Sequence, residues 1–248
     1  MANQSKTNDS CLEVQGLVKN YGGKSVVNGL SFNVRSGEVV GLLGPNGAGK
    51  TTAFYMTVGL IRPDEGKVFF QGADVTHVPM HRRARMGMGY LAQEPSVFRH
   101  LTVEDNILCI LESLSLSLQE RKARLEELLG ELHLGHLRKK RAVALSGGER
   151  RRLEITRALV TKPSFLMLDE PFANIDPLSI QDLKHLIRHL AQKQISILIT
   201  DHNAREIFSI VDKSYLVQEG KVTFEGSVDE LLNNEKARST YLGSDFKM

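Results

Sequence analysis

The chain has 248 residues, of which 41% are hydrophobic, 6% aromatic and 25% charged. That length suits one or two domains, with a core large enough to stand without disulfides, and the composition excludes a disordered or fibrous protein. Its 32 basic and 29 acidic residues leave a formal charge of +3, too little to argue for nucleic acid by itself. Cys11 and Cys109 lie far apart in no CxxC pair, which argues against a disulfide scaffold and for a reducing compartment. The opening MANQSKTNDS has no apolar core, so no secretory signal is expected. No apolar stretch approaches the roughly 18–20 residues that cross a bilayer.

Residues 1–10 read as a polar tail. From Leu12 to Val40 the pattern is β-like. Leu12, Val14 and Val18 share one parity, and Leu30, Phe32 and Val34 alternate with polar residues. Val39 to Leu43 is apolar on both parities, as in a strand buried on both faces. A glycine-rich loop follows it, and then a helix is expected over Thr51 to Leu60. From about Pro95 to Leu159 the β character fades. Ser117 and Glu120 have capping-box spacing, and Leu125, Leu128, Leu129 and Leu132 follow at helical spacing. Ser146 and Glu149 repeat the box before a second helix that Pro163 stops. The α/β pattern then returns. Phe165–Leu168 reads as a buried strand. Asp176-Pro177 opens a helix whose core face is Leu183, Leu186, Ile187 and Leu190. Ile195–Ile199 reads as another strand, and Ser214–Phe224 as a hairpin.

Gly44-Pro45-Asn46-Gly47-Ala48-Gly49-Lys50-Thr51 fits GxxxxGK[ST], between a strand and a helix as that motif requires. Positions without bulky side chains let backbone N–H groups close around a phosphate, and the helix N-terminus favours the anion. Lys50 reaches the outer phosphates in such a loop, and the Thr51 hydroxyl ligates Mg²⁺, with Thr52 beside it. A glycine-rich turn that binds nothing is the bland alternative. Phe165 to Glu170 looks like a Walker B strand, with Asp169 as a metal-holding carboxylate and Glu170 as a general base. Read alone, an apolar run before Asp-Glu-Pro could also be a helix start.

Leu145-Ser146-Gly147-Gly148-Glu149 resembles the LSGGQ signature of ABC ATPases, with Glu149 where glutamine is commoner. A capped helix start with two glycines is itself a phosphate site. The resemblance spans residues 12–242. It implies an α/β P-loop core of ABC type, with an antiparallel β subdomain and an inserted helical subdomain near 95–160. The nucleotide-binding domain is then 11–242, with a short tail at 243–248. It also implies ATP and Mg²⁺ as ligands, and a homodimer in which Ser146 to Glu149 of one chain meets the γ-phosphate held by the other. Tyr21 matches the adenine-stacking aromatic. Gln93 matches the glutamine that contacts Mg²⁺ and the attacking water, and His202 the histidine that binds the γ-phosphate. Asp176 matches the D-loop aspartate, although Asn174-Ile175 departs from the usual Ala-Leu or Gly-Leu before it. The other seven histidines are expected on the surface.

Gly89 to Arg99, Thr200 to Glu206, Arg150 to Glu154 and Tyr241 to Phe246 resemble lipopolysaccharide-export ATPases, apart from Ala92 where proline is common. That resemblance implies a cytoplasmic subunit, peripheral on the inner membrane beneath two transmembrane permease subunits. Phe98 and Arg99 are the candidates for the groove that takes a permease helix. Phe98 could equally pack under its own loop. A branched-chain amino-acid importer and a non-transport ABC protein are the rivals. The basic clusters at 81–85, 138–141 and 150–152 lack interleaved aromatics and read as solvated faces or supports for phosphate and permease contacts, with no nucleic-acid partner expected.

Overall fold

The computed structural model describes residues 10–242. The strands are β1 (Ser10–Tyr21), β2 (Lys24–Arg35), β3 (Val39–Leu43), β4 (Glu65–Phe70), β5 (Ala73–Asp74), β6 (Met88–Leu91), β7 (Phe165–Asp169), β8 (Ser196–Thr200), β9 (Lys213–Gln218) and β10 (Lys221–Gly226). The principal helices are α1 (Lys50–Val58), α2 (Met80–Arg85), α3 (Val103–Leu111), α4 (Leu118–Glu131), α5 (Gly147–Leu159) and α6 (Pro177–Gln192). One sheet is antiparallel in the order β2-β1-β4-β5. The other runs β10-β9-β3-β8-β7-β6 and is parallel apart from the β9–β10 hairpin. α3, α4 and α5 lie between β6 and β7 in the chain. The polar tail expected at 1–10 lies outside the described residues except for Ser10, which begins β1. The tail at 243–248 lies wholly outside them, and with it Phe246.

Strands β3, β7 and β8 are buried at every position, as a parallel sheet covered on both faces requires. Sequence placed β8 one residue early, at Ile195. The helix after the glycine-rich loop ends at Val58, short of Leu60, because Gly59 takes a left-handed φ of 86° and caps it. In β1 the expected parity fails after Val14. The register with β2 shifts between Val14 and Leu17, and Gly16 sits there at φ 59°. This bulge turns Leu17 inward, fully buried, and leaves Val18 half-exposed.

The helix signals fared better. Ser117 with Glu120 and Ser146 with Glu149 both form reciprocal capping boxes, and Asp176 caps α6 by accepting from the Ser179 N–H. Leu125, Leu128, Leu129, Leu132, Leu183, Ile187 and Leu190 are buried, while Leu186 is only partly so.

Two residues expected in solvated basic clusters are core residues instead. Arg83 is 1% exposed and donates to the carbonyls of Val78, Met56, Thr57 and Thr76, which pins the end of α1 to α2. Arg151 is 6% exposed and belongs to the site described next. Burying an arginine is tolerable only when its fan of N–H donors is satisfied, and both have carbonyls enough to do it.

Candidate active site

The strand order determines which loops meet. The carboxyl end of β3 carries the glycine-rich loop, that of β7 carries Asp169 and Glu170, and β8, lying between them, delivers Asp201 and His202. β6 beside β7 leads into Gln93. Ligands of open α/β sheets bind at this edge, beyond the carboxyl ends of the strands.

Two of the loop's glycines are there because nothing larger fits. A Cβ on Gly44 would lie 2.2 Å from the Val217 carbonyl oxygen, and one on Gly49 would lie 2.6 Å from that of Val26. Both also hold positive φ, 147° and 99°. The loop between them closes through Ala48 N–H to Pro45 O, at 3.2 Å, and α1 begins at Lys50. The Lys50 ammonium donates to the Gly44 and Pro45 carbonyls at 2.6 and 2.9 Å, which lays it along the loop. Burial lowers its pKa, against the pull of Glu170 and Asp169. Pro45, Asn46 and Gly47 are exposed at the mouth, as is Thr51; Thr52 is half-buried.

Beyond β7 the carboxylates diverge in environment. Asp169 is 2% exposed, and burial, then the neighbouring Glu170, push its pKa up to about 6. The Tyr90 hydroxyl is 3.5 Å from its Oδ2. Glu170 takes φ 44°, the left-handed region that residues other than glycine seldom adopt. Its Oε2 accepts from Gln93 Nε2 at 2.8 Å and lies 3.5 Å from His202 Nδ1. The structure therefore brings Gln93, Glu170 and His202 together, although they come from three separate segments. Asp201, 1% exposed, accepts from the Asn203 and Phe172 N–H groups and so ties the loop that carries His202 to the turn after β7.

The donor set expected for the metal suits a hard divalent cation. Thr51 offers a hydroxyl, Gln93 an amide oxygen and Asp169 a carboxylate, all oxygen ligands. The raised pKa of Asp169 is the mark of a buried anion with too little positive charge beside it.

Sequence reasoning missed Arg151. Its guanidinium donates to the carbonyls of Ala92 (2.9 Å), Asp169 (3.0 Å), Glu170 (3.3 Å) and Pro171 (3.2 Å), and to the Glu154 carboxylate (2.8 Å). One side chain of α5 thus ties the approach to Gln93, the turn holding Glu170 and the signature helix into one unit. The only local signal was the spacing of Arg151 and Glu154, one helical turn apart.

The predicted signature residues stand elsewhere on the molecule. Ser146 accepts from the Glu149 N–H, and Glu149 accepts from the Ser146 N–H, with Lys140 3.3 Å from its carboxylate. Gly147 and Gly148 face the start of α6: a Cβ on the first would lie 3.2 Å from Asn174 O, and on the second 2.3 Å from Ser179 Oγ. Asn174 has φ 57°, so its departure from the commoner Ala or Gly is accommodated by a residue that tolerates the left-handed region. Asp176 accepts from the Ser179 N–H at 3.0 Å. Tyr21 is 47% exposed at the end of β1, with the Lys19 ammonium 5.6 Å from its ring centre. Phe98 is 50% exposed beneath the Arg157 guanidinium, 4.8 Å from its ring, rather than tucked under its loop; Arg99 is exposed. His77, His81, His100, His133, His136, His185 and His189 are exposed, as expected.

Residues 27–173 match the ABC transporter domain family. The lipopolysaccharide export system ATP-binding protein LptB of Acidithiobacillus ferridurans is 54% identical over 237 residues, 96% of this chain and 98% of that one. LptB of Escherichia coli strain K12 is 47% identical over 238 residues, 96% and 99% of the two chains. The solved structure of the ADP conformation of MJ1267, an ATP-binding cassette of an ABC transporter, aligns with a TM-score of 0.85 and 28% identity, covering 95% of this chain and 99% of that one. No described helix is long and apolar enough to cross a membrane. The chain belongs to the ABC transporter family, as one of its ATP-binding, ATP-hydrolysing subunits.

Proposed function

We propose that this chain powers lipopolysaccharide export from the inner membrane, as a homodimer on the cytoplasmic face beneath two transmembrane permease subunits. The observation that carries the ATPase chemistry is the convergence of Gln93, Glu170 and His202 at the strand edge that also holds the glycine-rich loop. The export assignment draws on the near-complete alignment with the LptB proteins.

Residues 44–52 bind the phosphates, with Lys50 swinging from the loop carbonyls onto the β- and γ-oxygens and Tyr21 stacking on adenine. Thr51, Asp169 and Gln93 would hold Mg²⁺, which neutralises phosphate charge when bound. Glu170 accepts a proton from the attacking water, Gln93 orients that water, and His202 donates to the γ-phosphate. Ser146, Gly147, Gly148 and Glu149 supply the α5 N-terminus to the γ-phosphate of the other chain, with Asp176 at the same junction. Closure on ATP and reopening after hydrolysis drive the permeases, because the closed state binds ATP better than ADP. Phe98 and Arg99 form part of the wall that receives a permease helix.

The test is Glu170→Gln, recovered from detergent-solubilised membranes with ATP. A closed dimer with less than about one hundredth of normal turnover, carrying two permeases and glycolipid, is expected. Normal hydrolysis removes Glu170 from the base role. Importer permeases without glycolipid retain the ATPase and overturn the cargo.

A further inference from the structure

The last described turn, Arg238–Leu242, lies beside the loop that carries His202. Tyr241 and Leu242 pack on the core that holds Leu231 and Ala237. With His202, Asn203, Ala204 and Arg205 they line a cavity of about 360 Å³. None of the roles assigned above uses Tyr241. Its hydroxyl is nevertheless buried, and no group among the described residues meets it at hydrogen-bonding distance and angle. A buried polar atom without a partner costs folding free energy and calls for an explanation.

Two groups act on that oxygen: the Gly44 N–H, at the start of the phosphate loop, and the carboxylate of Asp201, the residue before His202. Burial, then the Asp201 charge, push the phenol pKa up to about 12, so the hydroxyl keeps its proton and can donate. A hydroxyl carries one donor and two acceptor lone pairs, enough to serve both neighbours at once. Asp201 in turn accepts from the N–H of Asn203 and from that of Phe172, two residues past Glu170. The Tyr241 oxygen therefore stands where the loops that follow β3, β8 and β7 meet.

We propose that Tyr241 is a positioning residue for ATP: when nucleotide fills the phosphate loop, the Tyr241 hydroxyl accepts from the Gly44 N–H, donates to Asp201 and so clamps the phosphate loop to the His202 loop. The inference rests on residues 44–52 being the ATP cradle. A ligand shifts a protein between two arrangements only through interactions that differ between them. An orphaned hydroxyl supplies such a difference, because it penalises the empty arrangement and is satisfied in the loaded one. The loops need to move little for this, and the cavity beside His202 leaves its loop room to do so. The end of the chain thus acts on the reaction through the loops it braces and not by touching ATP.

The experiment is Tyr241→Phe in the full chain, which keeps the ring and deletes only the oxygen. Without nucleotide the variant should melt at or above the wild-type temperature, since an unsatisfied group has been removed. With a fluorescent ATP analogue and Mg²⁺ it should bind at least about fivefold more weakly, and the KM for ATP should rise by a similar factor. These opposite signs separate positioning from plain packing. Tyr241→Leu removes the ring as well, and should lower the melting temperature in addition to weakening ATP binding. Wild-type ATP affinity in Tyr241→Phe overturns the proposal, as does weakened binding confined to the leucine variant. Earlier melting of nucleotide-free Tyr241→Phe also overturns it, because the hydroxyl would then be satisfied already, by water or by protein. Failure of the wild type to bind the analogue is a different result and removes the ATP cradle itself.

Discussion

Replacing Arg151 by methionine should destabilise the protein far more than a surface arginine would. The side chain is 7% exposed and its partner Glu154 is 2% exposed. Truncation leaves a buried carboxylate without its cation, which costs about 3–5 kcal/mol, and strands the carbonyls of Ala92, Asp169, Glu170 and Pro171 as well. At about 2–4 °C per kcal/mol for a chain of this size, the Tm should fall by about 6–20 °C. The decisive arm is the double variant Arg151→Met, Glu154→Gln. Removing the stranded charge should return at least about 1–2 kcal/mol, although Glu154→Gln alone is destabilising. Urea unfolding of the four proteins gives the cycle directly. ATPase activity of the folded single variant should drop at least about tenfold, because the backbone that aims Gln93 and Glu170 loses its tie. A single variant within about 1 kcal/mol of wild type, or a glutamine that adds its own loss to the first, would refute the reasoning.

Asp169→Asn should abolish hydrolysis yet stabilise the nucleotide-free protein at neutral pH. The folded-state pKa is raised from 3.8 to about 6, so the carboxyl's favourable contribution is present below pH 4 and lost as pH rises through 6. Melting curves in chelator should show a gain of up to about 3 kcal/mol at pH 8 that shrinks toward pH 4; a gain independent of pH contradicts this. Gly148→Ala forces a Cβ to within 2.3 Å of Ser179 Oγ and should cost about 1–3 kcal/mol, with ATPase falling more than stability. Adding Ser179→Gly should restore most of both, and failure to do so removes the clash as the cause. Chelating the divalent ion should stop turnover while a fluorescent ATP analogue still binds; persistent hydrolysis would show that Thr51, Gln93 and Asp169 need no metal.

What could be read from sequence was whatever chemistry had written into adjacent positions. The glycine-rich loop, the capping boxes at Ser117 and Ser146, and the Asp-Glu pair after β7 are local, and each is in place. Arg83 and Arg151 were invisible because a cation's burial depends on acceptors supplied from elsewhere: carbonyls at 56, 57, 76 and 78 for one, and at 92 and 169–171 for the other. In the sequence both sit among arginines of identical chemistry, exposed at Arg82 and Arg85 and half-buried at Arg150 and Arg152. Asp201 was passed over as context for His202, though its two accepted N–H bonds hold that loop. The parity error in β1 came from Gly16, since a bulge changes the alternation without changing composition.

The placement of β8 between β3 and β7 has a consequence for synthesis. Val39 pairs with Ile197, and Asp169 with Thr200, so β3 emerges from the ribosome long before its neighbours exist. At about 5–20 residues per second, the roughly 150 residues between them take about 8–30 s to make. Throughout that interval a fully apolar strand and a formed phosphate motif have no sheet to join. ATP can therefore act as a folding ligand only for a nearly finished chain, and the nascent segment through β3 is where a chaperone has most to protect.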